Sequence, residues 1–364
     1  MKDGTLLHRW LRQYGTLGIL IVPLLIIAFL SNSFGSVLLQ RITITMFINL
    51  TLVLGLQIFM GNSGILNFAH IGFMGIGAYA SVLFSMSPEA KIQTLPTIYP
   101  FLLNIHLPFL PSLLIGAAIA AVIAAVVGFP LMRISDAAAV IASFALLVII
   151  HVVLAHWSEV TAGPKTLFGV DPYTTLWGSA IWGILFVILA YLFEESPLGL
   201  KLRASRDDRY AAACIGINIT TVRWAGFILS AFAAALAGGL WAHFITSFDP
   251  ANFYLAETFV ILAMLVVGGP QSVSGAVVGT LGITVIFEGL RAIENAVNIS
   301  QSLSTPLVGF TEIFLALAMI LILILRPSGI MQGRELRWFR RAQKPSEEPA
   351  SGDQISIGTE SRNV

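Results

Sequence analysis

A serine and a histidine in apolar segments are the first candidates for catalytic chemistry. Gly61, Asn62, Ser63 and Gly64 form a G-x-S-G sequence, and a serine becomes a nucleophile when a histidine lies beside it as a base. His243 is the candidate base, but it is predicted near the outer end of its membrane span, whereas Ser63 is predicted near the inner end of another. The sequence therefore does not favour a serine protease.

The remaining titratable residues do not indicate a metal site or a proton relay. His151 and His156 are five residues apart, off a common helix face, and no carboxylate stands at ligand spacing. Glu257 and Glu288 fall near the ends of predicted spans instead of forming a buried acidic chain. A single cysteine, Cys214, excludes an internal disulfide framework. We expect no catalytic residue, no metal and no cofactor in this chain, so energy must come from outside it.

Composition identifies the class of protein. The 364 residues are 57% hydrophobic and 11% charged, and mean hydropathy is +0.87. A soluble domain of this size cannot bury so much apolar surface, so the sequence predicts an all-α polytopic membrane protein. About ten segments are predicted to cross a bilayer, some of them short or broken by Gly and Pro. They are 17–30, 37–60, 68–84, 109–132, 137–155, 175–193, 224–244, 257–267, 274–290 and 306–325.

The distribution of charge predicts the orientation in the membrane. An even number of crossings places both termini on one side, and all but four of the 20 Lys and Arg residues fall on that side. The exceptions are Arg41, Lys91, Lys165 and Arg291. The positive-inside rule then makes that side cytoplasmic. The net charge of +1 gives no reason to expect nucleic acid as a partner.

The chain is expected to divide into three parts. Residues 1–14 form a cytoplasmic N-terminal segment, and residues 15–326 form the transmembrane domain. Residues 327–364 form a cytoplasmic tail that lacks apolar periodicity and is predicted to be disordered. The first span is expected to be retained, because Ser31-Asn32-Ser33 does not resemble a signal-peptide cleavage site.

The polar segment 196–222 interrupts the apolar pattern and is the largest loop on the predicted cytoplasmic side. Ser205 followed three residues later by Asp208 resembles a capping box, and Gly216 is a natural helix stop. These signals predict a helix over residues 206–215, about 15 Å long and so too short to cross a bilayer. Three alanines in its second half leave a nearly bare backbone that suits a groove in another protein. An ordinary solvated loop helix is the alternative interpretation.

Two glycine-rich breaks lie inside the predicted membrane region, at residues 61–70 and 268–275. Each ends a span at glycine, continues through polar residues and leads into a glycine-spaced helix. Broken helices at membrane depth are tolerated where protein or a water-filled cavity covers the freed backbone groups, and related breaks are expected around a transport path. Asn62, Ser63, Asn67 and His70 are therefore candidate path residues. Close helix packing is the alternative explanation for most of the glycines.

Several motifs taken together resemble the LivM/LivH permeases of branched-chain amino-acid ABC importers, over about residues 37 to 330. The segments that carry the resemblance are Gly55–Gly64, Gly72–Tyr79, Thr161–Pro164, Ser196–Asn218, Gly268–Gly279 and Arg326–Gly329. The length, the Thr161–Pro164 loop and the closing Arg-Pro-Ser-Gly favour the LivM type. Asn67–His70 is closer to the LivH sequence at this point of the motif. Arg133–Asp136 and Gln271 depart from the family pattern.

The resemblance implies a permease of a bacterial plasma (inner) membrane that is driven by other subunits. Two ATP-binding subunits would hold ATP-Mg, a second LivH-type permease would complete the path, and a periplasmic solute-binding protein would deliver the solute. The short polar helix would be the coupling helix that docks on the ATPases. The implied coupling residues of the polar segment 196–222 are Gly199, Arg203, Arg206, Asp208, Ala211, Ala212 and Gly216.

Two functions therefore follow from the sequence. The first is a permease subunit of an ABC importer for branched-chain or other neutral amino acids, with urea-like amides or small organic acids as other solutes. The second is a self-contained channel or carrier for a small polar solute. Co-purification of ATPase subunits in mild detergent would distinguish them.

Overall fold

In the computed structural model most of the described residues are helical. The structure describes residues 3–300, the positions 313, 317, 320 and 324, and residues 329–331. Side chains are described from residue 15 to 298 and at the later positions. The helices are α1 (Asp3–Phe34), α2 (Val37–Leu56), α3 (His70–Ser85), α4 (Pro88–Thr94), α5 (Pro100–Leu103), α6 (Phe109–Leu131), α7 (Asp136–His156), α8 (Ser158–Thr161), α9 (Leu176–Glu195), α10 (Pro197–Asp207), α11 (Arg209–Cys214), α12 (Ile219–Ile245), α13 (Leu255–Gly268) and α14 (Val273–Ser300). A π-helical turn, Gln57–Gly61, extends α2, and a 3₁₀ turn, Pro250–Phe253, precedes α13.

The spans confirm the predicted class of protein. Within the described residues, 8 helices are long and apolar enough to cross a membrane, and α3 is a shorter apolar helix of 16 residues. Together they match every predicted span except the last, residues 306–325, which lies outside the described residues apart from isolated positions. The chain is an all-α polytopic membrane protein.

Local sequence explains where several of these helices begin. Ser36, Thr175 and Asn218 cap α2, α9 and α12, each with a side-chain oxygen that accepts a hydrogen bond from the N–H three residues later. Such caps satisfy backbone donors that the first helical turn leaves without partners.

The centre of the bundle is formed by α2, α3, α6 and α12. A Cβ atom at Gly77 would collide with the backbone of Ala235, and one at Gly238 would collide with the backbone of Met74. α3 and α12 therefore cross with their backbones in contact, as small residues allow in membranes. In α2, 13 of the 20 residues are buried, against 6 of the 21 in α7, most of whose apolar side chains face outward. The outer helices thus present the apolar surface that lipid requires.

We call the end of the bundle with α10 and α11 the basic end, and the end with α4, α5 and α8 the loop end. The loop end is closed by contacts with backbone carbonyl groups. Leu167 and Phe248 form an isolated antiparallel bridge, with N–H to C=O distances of 2.8 and 3.0 Å. Lys91 is buried here, its Nζ donates to the carbonyl oxygens of Leu102 and Ile105, and burial lowers its pKa below the ordinary value. The ammonium group of Lys91 is therefore not exposed at the loop end.

The prediction for segment 196–222 was partly wrong. The segment contains two helices, α10 and α11, instead of one helix over 206–215. Ser205 is not the cap, because its hydroxyl donates to the Leu202 carbonyl inside α10. Asp208 caps α11 instead, accepting hydrogen bonds from the N–H groups of Tyr210 and Ala211 at 2.8 and 3.0 Å. The predicted stop is confirmed, since α11 ends just before Gly216, which has a φ of 83°.

Candidate functional site

The first break lies between α2 and α3 at the basic end. Asn62 follows the π-helical turn, and its Nδ2 donates to the Ile58 carbonyl at 3.1 Å. Ser63 Oγ accepts a hydrogen bond from the N–H of Ile65 at 3.2 Å. Both side chains are buried, where water cannot satisfy the backbone. Their hydrogen bonds therefore satisfy backbone groups that the interrupted helix would otherwise leave without partners.

The other two candidate path residues close the same break from the α3 side. Asn67 Oδ1 accepts from the N–H of Ala69 at 3.1 Å. His70 Nε2 lies 2.9 Å from the Leu52 carbonyl, which can only accept, so Nε2 carries the proton. The unprotonated Nδ1 then accepts from the Ser230 hydroxyl at 3.1 Å. The structure brings all four candidates into one buried break, and their contact with solute stays a prediction.

An arginine of α10 reaches this break directly. Arg206 Nη1 donates to the carbonyl of Gly61 at 2.8 Å. Gly61 is the last residue of the π-helical turn. Gly64, with a φ of 74°, lies beneath the same side chain, and a Cβ there would stand 2.8 Å from Arg206 Cγ. A charged donor to a freed carbonyl makes a stronger bond than a neutral one. The polar segment is thus joined to the broken helix by one side chain.

The second break, between α13 and α14, lies at the same end and is built from backbone contacts. Gly269 has a φ of 116°, and Ser272 Oγ accepts from the N–H of Gly275 at 3.0 Å. A Cβ at Gly279 would collide with the Met264 carbonyl, so α13 and α14 lie in backbone contact. This packing excludes any side chain larger than hydrogen at that position.

The two breaks touch each other. A Cβ at Gly61 would collide with the carbonyl oxygen of Pro270, so the first break rests on the second. The residues just after the closing Arg-Pro-Ser-Gly bond to the end of α13, because the N–H groups of Ile330 and Met331 donate to the carbonyls of Val267 and Gly268 at 2.8 and 3.1 Å. We call the contact between Gly61 and Pro270 the seam.

The implied coupling residues of α10 face the bundle. Gly199 lies against the Phe193 carbonyl, where a Cβ would collide, and its N–H donates to Ser196 Oγ at 3.1 Å. Arg203 pairs with Glu194 at 3.1 Å, and a second donor of its guanidinium bonds the Glu194 carbonyl. These contacts fix α10 against the end of α9.

The surface of α11 points away from the bundle. Tyr210 and Ile215 are 83% and 76% exposed, and Ala211 is also exposed, whereas Ala212 is buried. Asp208 holds the start of this helix through its cap. A short helix with an exposed tyrosine, followed directly by an exposed isoleucine, is a surface that another protein can cover.

Comparison with known proteins assigns the family. Residues 38–325 match the family model for the permease component of the branched-chain amino acid transport system, which covers most of the chain. The chain belongs to this permease family. The resemblance drawn from the motifs is thereby confirmed.

Individual relatives agree with the assignment. The chain is similar to the high-affinity branched-chain amino acid transport system permease protein LivM of Escherichia coli, with 26% identity over 325 residues, 79% of this chain and 68% of the relative. It is also similar to LivH of Salmonella typhimurium, with 26% identity over 294 residues, 77% and 90% of the two chains. A nucleoside ABC transporter permease protein, NupC of Lactococcus lactis, is 25% identical over 233 residues, 58% and 69% of the two chains. No solved structure matches the chain.

Sequence reasoning missed an ion-pair cluster at the basic end of this permease. Arg223, at the start of α12, is 1% exposed, and its Nη1 lies 2.6 Å from Asp136 Oδ1 at the start of α7. Arg209 of α11 approaches the same carboxylate at 3.8 Å. Asp136 is distinguished in the sequence only as part of a segment, Arg133–Asp136, that departs from the family pattern. A charge beside an apolar helix in a chain with few charges was the available signal.

A cleft also opens at the basic end, between the starts of α10 and α12. It has a volume of about 710 Å³. It is lined by Ser196, Pro197, Leu198, Lys201, Gly216, Ile217, Asn218, Thr221 and Val222. Most of these residues belong to the motif segment 196–218 that carries the family resemblance.

The catalytic alternatives find no support in the geometry. His243 Nε2 lies 2.7 Å from Ser85 Oγ, not beside Ser63, and its Nδ1 lies 2.7 Å from the Gly239 carbonyl. Among the described residues, no three His, Cys, Asp or Glu side chains are grouped to hold a metal ion.

Proposed function

We propose that the chain forms part of the solute path of an ATP-driven importer, carrying branched-chain or other neutral amino acids. The bond between Arg206 and the Gly61 carbonyl is the observation that carries the proposal. It joins the helix pair α10–α11 directly to a broken helix inside the membrane domain. A self-contained channel has no need of such a connection from an exposed helix pair to its interior.

The basic end faces the cytoplasm in this proposal. Lys201, Arg203, Arg206 and Arg209 lie in α10 and α11, and the positive-inside rule places such a cluster on the cytoplasmic side. Both termini then lie in the cytoplasm, and the loop end faces the periplasm of a bacterial inner membrane. A periplasmic solute-binding protein delivers the solute to the loop end.

Two ATP-binding subunits dock on α11 and hold the ATP-Mg. The exposed Tyr210 and Ile215 supply the apolar part of the contact, and the Asp208 cap keeps the short helix formed. The chain itself hydrolyses no ATP and is not an enzyme. A second permease of the LivH type completes the path.

Closure of the ATPase pair moves α10 and α11 as a unit. Arg206 carries the movement to the first break, and Arg209 carries it to Asp136 and through Arg223 to α12. Moving a two-state equilibrium from almost wholly one side to the other requires about 5.5 kcal/mol of differential binding. Nucleotide binding to the partner subunits supplies this free energy.

The family description and the LivM and LivH relatives support amino acids as the solute. Similarity to the nucleoside permease NupC favours nucleosides as a second candidate. Uptake of labelled leucine against labelled uridine, in membranes that contain the whole set of subunits, distinguishes the two.

The proposal is tested with Arg206→Gln, with Asp207→Asn as the matched control. Asp207 is the exposed partner of Arg206 at 3.1 Å, so its substitution removes an ion pair and leaves the Gly61 bond in place. A bond to a charged group contributes about 1.5–3 kcal/mol, so Arg206→Gln is expected to lower uptake about tenfold or more while ATP hydrolysis continues. Asp207→Asn is expected to stay within about twofold of the unmodified protein.

Two results would refute the proposal. ATP-independent uptake by the chain without ATPase subunits would make it a self-contained carrier. Undiminished uptake by Arg206→Gln would show that the arginine does not couple the two regions.

A further inference from the structure

Gln57 is a buried polar side chain that the fold does not satisfy. It is 0% exposed, and in the described part of the chain neither its Nε2 nor its Oε1 has a hydrogen-bond partner. Other buried polar residues nearby are satisfied: Thr51 Oγ1 donates to the Phe47 carbonyl at 3.0 Å, and Asn62 bonds to Ile58. Buried groups without partners are rare in native proteins, and each calls for an explanation.

The position of Gln57 indicates what the explanation is. Gln57 begins the π-helical turn, and π-helical turns inside α-helices occur frequently at functional sites. A Cβ at Gly61 would lie 3.2 Å from Gln57 Cγ and would collide with the Pro270 carbonyl. The side chain therefore lies beside the seam, where the two breaks meet.

We propose that Gln57 contacts the transported solute when the two breaks separate at the seam. This inference rests on the proposed function. In the conformation described here the seam is closed, and the amide is buried without partners. Opening the seam gives the amide access to water and solute, which restores its hydrogen bonds.

The chemistry of the amide defines the class of solute. Its carbonyl accepts hydrogen bonds and its NH₂ group donates two, with no net charge. A zwitterionic amino acid offers both complements, an ammonium that donates and a carboxylate that accepts. A neutral amide binds such a solute by hydrogen bonds alone and releases it more readily than a buried ion pair would.

Gln57→Leu separates a solute contact from a structural role. Leucine has a similar size and no unsatisfied polar atoms, so it removes the desolvation cost of the buried amide. In the complete importer, we expect the variant to lower the maximal uptake rate of leucine about tenfold, with a rise of about 2 °C in the midpoint of thermal unfolding. Thr51→Val, which removes a satisfied hydroxyl from the same helix, is expected to leave uptake unchanged.

A second measurement tests access to the seam without relying on uptake. Gln57→Cys is made in a background with Cys214→Ser, because Cys214 is exposed and would react itself. The cysteine is treated with a small hydrophilic thiol reagent, in the nucleotide-free complex and with ATP bound. Labelling in one of these states and not the other is expected.

The outcomes are distinguishable. A lower unfolding midpoint for Gln57→Leu would make the amide structural, and unchanged uptake would remove it from the solute path. Absence of labelling in both nucleotide states would also overturn the inference. If the unmodified complex transports nothing in response to ATP, the proposed function fails, while nucleotide-dependent labelling would still support a seam that opens.

Discussion

The two breaks differ in what satisfies their backbone groups. In the first, side chains do so: Asn62, Ser63 and Asn67 bond to nearby backbone, and Arg206 reaches in from α10. In the second, Ser272 Oγ accepts from the Gly275 N–H, and the backbone N–H groups of Ile330 and Met331 pair with the end of α13. Side chains exchange partners by rotation, whereas two backbones in contact separate only if whole helices move.

This difference indicates which break is suited to move. The first is held by single side chains and is connected to the basic end through Arg206, so a displacement of α10 reaches it directly. The second is held by interlocked glycines and suits a fixed support. We expect substitutions in the second break to affect folding and those in the first to affect transport.

The largest effect is expected from Gly279→Ala in the second break. The new methyl group would collide with the Met264 carbonyl and lie within 2.7 Å of Gly268 Cα, and neither backbone can rotate away. Overpacking of this kind costs about 1–3 kcal/mol or more, so the unfolding midpoint and the amount of protein in the membrane should fall.

Gly282→Ala is the matched control for that variant. No atom lies within 4 Å of a Cβ at Gly282, and alanine favours the helix by up to about 1 kcal/mol. Equal loss of stability in both variants would show that α14 tolerates no alanine for general reasons, and the distinction between the two breaks would not hold.

A smaller effect on stability, with a clear effect on transport, is expected from Gly64→Ala in the first break. Its φ of 74° costs a non-glycine residue about 1–2 kcal/mol. The added methyl would also displace Arg206 Cγ from 2.8 Å, which weakens the bond to the Gly61 carbonyl. Uptake per molecule in the membrane should fall several-fold while ATP hydrolysis persists. If uptake changed only in proportion to the amount of protein, the first break would be structural as well.

The smallest effect is expected from Asn67→Ala. The variant removes the acceptor for the Ala69 N–H just before α3, which costs about 1 kcal/mol. Asn67→Ser keeps a short side-chain acceptor and should recover most of the loss, as measured by thermal unfolding. A loss of transport that Asn67→Ser fails to recover would point to direct contact between the Asn67 amide and the solute.

Local signals were sufficient where the chain satisfies its own backbone. Gly216 ends α11, and the polar residues 62–70 cluster in one break, both as predicted. The local signal at Ser205 wrongly predicted a helix cap. Ser196 begins α10 earlier, so Ser205 lies inside that helix and its hydroxyl donates to the Leu202 carbonyl. The pairing of Arg223 with Asp136, 87 residues apart, left no local signal of its partner.

The sequence by itself determined the class of protein, the family and the spans within the described residues, because apolar length and motif order do not depend on how the helices pack. Tertiary structure alone decided that Arg206 bonds to Gly61, that Gly61 rests on Pro270, and that Gln57 lies unsatisfied beside them. The first two contacts join segments that are far apart in the chain. The surroundings of Gln57 depend on the second of them. Their geometry is fixed only when α2, α10 and α13 are packed into one bundle.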